Sequence, residues 1–150
     1  MSDENKTIAR KLLEDAWNGG QLEALDTLVS GNCRFHDPVF PSMAPGVDGL
    51  RRHIRMCRNA FPDLKYTIDD MIAERNEVVV HWTMRGTQRQ SFLGMAPSNR
   101  TASISGTTIN RIDDRKIVEQ WSDWNLLSLL EQLGLATAPK EEVSARATRQ

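Results

Sequence analysis

The residues best suited to chemistry lie in one run near the C-terminus, residues 116–125, which interleaves Glu119, Trp121, Asp123, Trp124 and Asn125. Its β-branched and aromatic content, opening on the turn signal Asp113-Asp114-Arg115, predicts a strand. Period-two alternation then puts Glu119, Trp121, Asp123 and Asn125 on one face and Val118, Gln120, Ser122 and Trp124 on the other. Both faces mix a tryptophan with polar groups, which suits a sheet buried by a partner chain on one side and by a polar-tipped pocket on the other. A carboxylate desolvated beside tryptophan has its pKa raised toward neutrality, the condition for a general acid/base. Asp123 is the candidate proton carrier and Asn125 a candidate oxyanion donor, with His36 and Arg111 as candidate supporting polar groups. The alternative is that Glu119 and Asp123 form ion pairs with Arg85 or Arg111 on neighbouring strands.

Other chemistries lack their motifs. The chain has no G-x-S-x-G, no glycine-rich phosphate loop and no H-E-x-x-H. His36, His53 and His81 fall on three different predicted elements without ligand spacing, so no metal site is expected. Cys33 and Cys57 are too few for a disulfide scaffold or a four-cysteine zinc site and read as reduced core thiols. With 19 basic and 20 acidic residues the net charge is −1, which removes the electrostatic case for nucleic acid or an anionic membrane surface. Arg51, Arg52, Arg55 and Arg58 around His53 read as a solvated helix face. No apolar run approaches the ~20 residues that cross a bilayer. The expectation is a cytoplasmic protein whose partner is a small hydrophobic molecule.

The elements that must position these residues follow from periodicity. Ile8, Leu12, Leu13, Ala16 and Trp17 mark one face of a helix that stops at Asn18-Gly19-Gly20, and Leu22, Leu25, Leu28 and Val29 mark a second. A short strand over residues 33–37 follows, then a proline-rich loop over residues 38–46 whose Phe40 and Met43 need apolar cover. Asp48 is placed to cap a third helix with Leu50, Ile54, Cys57 and Phe61 on its buried side. Residues 66–73, 78–90, 101–112 and 116–124 read as four strands, and the short turns at Arg75-Asn76-Glu77 and Asp113-Asp114-Arg115 make them antiparallel neighbours. Leu126, Leu127, Leu129, Leu130 and Leu133 form a short apolar helix or turn ending at Gly134. The class is α+β, N-terminal helices followed by a strongly twisted antiparallel sheet that can curl around them and enclose a cavity. Trp17, Phe40, Phe61, Trp82 and Trp121 are its candidate walls. A composition of 39% hydrophobic and 26% charged residues over 150 positions fits one domain, taken as residues 1–135, with residues 136–150 as a flexible tail. A homodimer is expected through the sheet face that carries Trp124, since a tryptophan on a half-exposed strand is a costly patch.

These residues also carry a resemblance. The run from Arg111 to Asn125, followed by Leu130-Glu131-Gln132-Leu133-Gly134, resembles the C-terminal signature of the SnoaL-like polyketide cyclases. Phe35-His36-Asp37-Pro38, Ala60-Phe61-Pro62-Asp63-Leu64, Gly86-Thr87 and residues 92–100 fit the same family in order. The resemblance implies a nuclear transport factor 2-like cone, a cone-shaped α+β barrel with the curved antiparallel sheet wrapped on the N-terminal helices, usually dimeric, and an intramolecular aldol ring closure on a polyketide ester without metal or cofactor. It also implies an acid/base carboxylate four residues after the strand tryptophan, a position held here by Asn125, and a histidine after Gly86-Thr87, held here by Gln88. An amide can hold an enolate but cannot shuttle protons at neutral pH. Three functions remain: a cyclase-type enzyme with Asp123 as acid/base and Gln88 among its ligand contacts, a non-catalytic binding module, and an isomerase or hydrolase on the same cone.

Overall fold

The computed structural model describes residues 2–137 of the 150; the expected tail at residues 138–150 lies outside the described residues. Helix α1 (Ser2–Lys11) carries Asp3 and Glu4 in its first turn and Arg10 and Lys11 in its last, the charge order that complements a helix dipole. It continues as a π-wound segment, Leu12–Asn18, in which Leu12, Leu13, Ala16 and Trp17 are all buried. The stop comes at Gly20, whose φ of 67° is left-handed. Arg58 does not sit on a purely solvated face as expected: its Nη1 donates to the Trp17 and Asn18 carbonyls at 2.6 and 3.0 Å, satisfying acceptors that the helix end leaves free.

A 3-10 turn (Leu22–Ala24) leads into α2 (Leu25–Leu28) and directly into strand β1 (Val29–His36). The strand starts earlier than residue 33 because Ser30-Gly31-Asn32 forms an irregularity between Val29 and Arg34 in place of a break. Helix α3 (Gly46–Ala60) buries Leu50, Ile54, Cys57 and Ala60. Its N-cap is Pro45, and Asp48, expected as the cap, lies in the first turn and accepts from Arg51 Nη1 at 2.6 Å.

Strands β2 (Lys65–Glu74), β3 (Glu77–Thr87), β4 (Thr101–Asp113) and β5 (Lys116–Trp124) form an antiparallel meander, and the sheet order is β1-β5-β4-β3-β2. The β4–β5 turn has φ of 48° at Asp114 and 64° at Arg115, the primed geometry that matches strand twist. The sheet is mixed and not wholly antiparallel, because β1 returns beside β5 in parallel. The concave face carries Val78, Val80, Trp82 and Met84 of β3 against α1, its π-wound extension and α3. Short helix α4 (Leu126–Gln132) closes one end with Leu129 and Leu133 buried. No helix among the described residues is long and apolar enough to cross a membrane.

Gly49 fixes how α3 enters this arrangement, since a Cβ there would overlap the Ala44 carbonyl oxygen. An exposed mid-helix Gly→Ala change gains about 1 kcal/mol. Here the sign reverses: Gly49→Ala should lose about 1–3 kcal/mol in chemical denaturation, the ordinary cost of forcing atoms into filled space.

Candidate functional site

Between the two long helical segments and the concave sheet lies a cavity of about 90 Å³. Its walls are aromatic and aliphatic, with Trp17, Phe40, Phe61 and Trp82 among them, and Phe40 comes from the proline-rich loop after β1. Gly106 lets the sheet carry two tryptophans there, because a Cβ at that position would run into the Trp82 ring and Trp124.

Ionisable groups enter from β1, α3 and β2. Asp37, at the end of β1, is buried; Trp124 Nε1 donates to its two carboxylate oxygens at 3.3 and 3.1 Å, and the Val39 amide donates to Oδ1 at 2.9 Å. His53, on α3, packs edge-on against Phe40 and Trp17 with ring centroids 4.6 and 5.7 Å apart. Burial lowers the His53 pKa below its ordinary 6.5, and the Asp37 charge opposes that shift. The imidazole is therefore neutral near pH 7, the state of a general base. Cys57 Sγ lies 3.9 Å from His53 Nε2, and burial pushes this thiol up to about 12, so it is not a nucleophile. Tyr66 packs on Trp17 and Trp82 with centroids 5.1 and 4.9 Å apart, and burial pushes its phenol up as well, which keeps it a hydrogen-bond donor. Thr108, Asn110, Gln120 and Ser122 add a neutral polar strip from β4 and β5. Among the described residues no group of three or more His, Cys, Asp and Glu side chains could hold a metal ion.

A family model for SnoaL-like polyketide cyclases matches residues 7–133. The chain belongs to the SnoaL-like polyketide cyclase family. No curated protein matches it. Among solved structures, TsrD from Streptomyces laurentii is 28% identical over 91% of this chain and 98% of its own, with a TM-score of 0.83. IdmH from Streptomyces antibioticus, a candidate polyketide cyclase, is 28% identical over 87% and 98%, with a TM-score of 0.76. AclR from Streptomyces galilaeus, a candidate hydroxylase, shares the fold at 23% identity over 99% and 92%, with a TM-score of 0.81.

In this SnoaL-like chain the two faces of β5 are the reverse of the sequence expectation. Ile112 pairs with Ile117 while Arg111 pairs with Glu119, so Val118 is an extra residue, a β-bulge. Beyond it Gln120, Ser122 and Trp124 face the cavity, while Asp123 is exposed and does not line it. Trp124, expected on the outer dimer face, is an inner residue tied to Asp37. Trp121 is outside and stacks on His36 with centroids 5.3 Å apart. His36 borders the cavity, but its Nε2 is 2.7 Å from Glu119 Oε2. Arg111 and Arg34 donate to Glu119 Oε1 at 2.9 and 3.0 Å. The bonds from Arg111 and then His36 hold the Glu119 carboxyl below the ordinary carboxylate range. The ion-pair alternative with Arg111 thus describes Glu119.

Asn125 is the N-cap of α4, its Oδ1 accepting from the Ser128 amide at 3.0 Å, and it does not line the cavity. Gln88 does not contact the cavity: it is fully buried, donates to the Met95 and Ala96 carbonyls at 3.3 and 3.2 Å, and accepts from the Ser98 amide at 3.0 Å, clamping the loop before β4. Sequence reasoning missed Asp37, His53, Tyr66 and the inward Trp124. A signal existed for His53: it stands three residues after Leu50 and four before Cys57, on the apolar face of α3 and not among its arginines.

A histidine whose folded pKa is lowered contributes stability that is complete above its unfolded pKa. That contribution is lost as pH falls from about 6.5 toward the lower folded value, because the unfolded chain then binds more protons. Denaturation midpoints should therefore fall between pH 7.5 and about 5.5, and His53→Gln should flatten that slope while retaining the slope's acidic end below the carboxylate range.

Proposed function

We propose that this protein binds a small apolar ketone or ester in the cavity and catalyses proton transfer at the carbon next to its carbonyl, as the first step of a cyclase-type ring closure. The observation that carries the reading is that the His53 imidazole, packed on Phe40 and Trp17, lines the same aromatic cavity as the hydrogen-bonded Asp37 carboxylate. His53 takes the proton, the Asp37 charge stabilises the imidazolium that forms, and the Tyr66 phenol is the donor available to the enolate oxygen. The enolate carbon then attacks a second carbonyl of the same ligand, whose π bond opens to an alkoxide, and the His53 imidazolium returns its proton to that oxygen. A β-dicarbonyl carbon is already acidic, so one base and a few donors suffice. The likeness to IdmH supports ring closure as the outcome. At about 90 Å³ the cavity is smaller than the roughly 150 Å³ that holds benzene, so even a single-ring ligand enters only as the loop carrying Phe40 gives way. The buried, unpaired thiols of Cys33 and Cys57 fit a cytoplasmic setting.

For assembly, we propose a homodimer through the outer sheet face, resting on a different row than Trp124. Ile72, Val79, Ile109 and Trp121 are register partners across four strands and continue onto His36 of β1. Ile72 is 60% exposed, and the adjoining row alternates Glu77, Arg111, Glu119 and Arg34 in charge. Such an apolar strip beside self-complementary charges suits a two-fold interface. Ile72→Glu should shift a dimer to monomer in sedimentation and remove the concentration dependence of the unfolding midpoint; a wild-type monomer at micromolar concentration would refute the interface.

The reaction is tested without knowing the natural substrate by following exchange of the α-hydrogens of cyclohexanone in D₂O by NMR. Wild type should accelerate exchange, His53→Gln should lose ~10²-fold, and Asp123→Asn should change nothing. Absence of acceleration by wild type, or loss in Asp123→Asn with His53→Gln intact, would overturn the assignment and favour a binding module or an outer-face site.

A further inference from the structure

The cavity's neutral strip has hydrogen-bonding capacity that the protein does not use. Thr108 and Asn110 of β4 pair in register with Ser122 and Gln120 of β5, and all four line the cavity. Trp82 Nε1 donates to Thr108 Oγ1 at 3.0 Å, and Thr108 Oγ1 lies 3.0 Å from Ser122 Oγ. Two hydroxyl hydrogens share that one contact, so one O–H is left over. With the indole donating into Thr108, and Thr108 into Ser122, each bond polarises the next and the free hydrogen is that of Ser122.

The second pair leaves an acceptor. Asn110 Nδ2 donates to the Val78 carbonyl at 3.4 Å, which turns Asn110 Oδ1 toward Gln120 Nε2 and sets the Gln120 amide the other way round. Gln120 is only 9% exposed, and its Oε1 accepts no hydrogen bond among the described residues. No fully buried side-chain nitrogen or oxygen among the described residues lacks a partner, so this oxygen is open to the cavity, where a ligand donor can reach it. Ser122 and Gln120 stand two residues apart on the same face of β5, the spacing at which side chains can address one ligand group.

We propose that Ser122 and Gln120 form a neutral donor–acceptor pair that binds a hydroxyl group of the ligand: an alcohol, phenol or enol. A hydroxyl accepts from Ser122 Oγ–H and donates to Gln120 Oε1 together; a ketone or ether satisfies only the first, and a hydrocarbon neither. The inference rests on the reading of the cavity as the ligand site, and it adds that the ligand is hydroxylated at a point recognised by groups that do not titrate.

Calorimetric titration with phenol and toluene, which are alike in size, tests it. Wild type should bind phenol at least as tightly as toluene although toluene is the more apolar. Ser122→Ala and Gln120→Leu, made separately, should each weaken phenol about 5–10-fold, the ordinary worth of one such bond, and leave toluene unchanged. A phenol-to-toluene ratio equal in wild type and both variants would overturn the pair while leaving the cavity reading intact. Binding of neither probe by wild type would overturn both. Where a variant does not fold, the wild-type order decides alone, and toluene bound more tightly than phenol overturns the proposal.

Discussion

The bond from the Trp124 indole to the Asp37 carboxylate is the constraint around which this molecule is organised. It ties the last residue of β5 to the first residue after β1, at 3.1 Å on its shorter arm. It explains how a parallel edge strand can end beside an otherwise antiparallel meander and still deliver a carboxylate to the cavity. It also holds in place a group that would be costly to bury alone, since a carboxylate without donors in an apolar cavity neutralises or moves out. The Val39 amide supplies a further donor, so the loop carrying Phe40 starts from a fixed point.

The rest of the site follows from that anchor. Asp37 contributes charge without mobility, His53 contributes a proton acceptor kept neutral by burial, and Trp17 touches both His53 and Tyr66 with its ring faces and edges. Two polar systems thereby stay separate on the two sides of β5. The inner one is sparsely hydrogen-bonded and lines the cavity. The outer one, in which Glu119 receives Arg111 and Arg34 and lies against His36, is an ion-paired cluster that holds β1, β4 and β5 together.

The fold was legible because it rests on patterns that local chemistry enforces. Leu50, Ile54 and Cys57 at helical spacing, the Asp114-Arg115 turn and the period-two burial of Val78, Val80, Trp82 and Met84 each report on their own neighbourhood. The parallel placement of β1 was not legible, because no local signal records which strand a chain returns to. The positions of the candidate site residues were not legible for a different reason. Alternation within residues 119–125 was read correctly, but the inner face depends on the bulge at Val118, and a single extra residue exchanges the two faces. Val118 carries no glycine or proline to announce it. Asn125 and Gln88 were misplaced for a related cause: both are polar residues in the family's suggestive positions, and only the structure reveals that one caps a helix and the other clamps a loop.

The central claim, that ligand chemistry occurs on the Trp124 side of β5 and not on the Asp123 side, can be read directly from the tryptophans. The chain has four, Trp17, Trp82, Trp121 and Trp124, of which all but Trp121 line the cavity. Indole N–H resonances of ¹⁵N-labelled protein, assigned with single Trp→Phe variants, can be followed while cyclohexanone is added. Saturable shifts are expected at Trp17, Trp82 and Trp124 with Trp121 unmoved. A shift confined to Trp121 would contradict it and return the site to the face that carries Asp123.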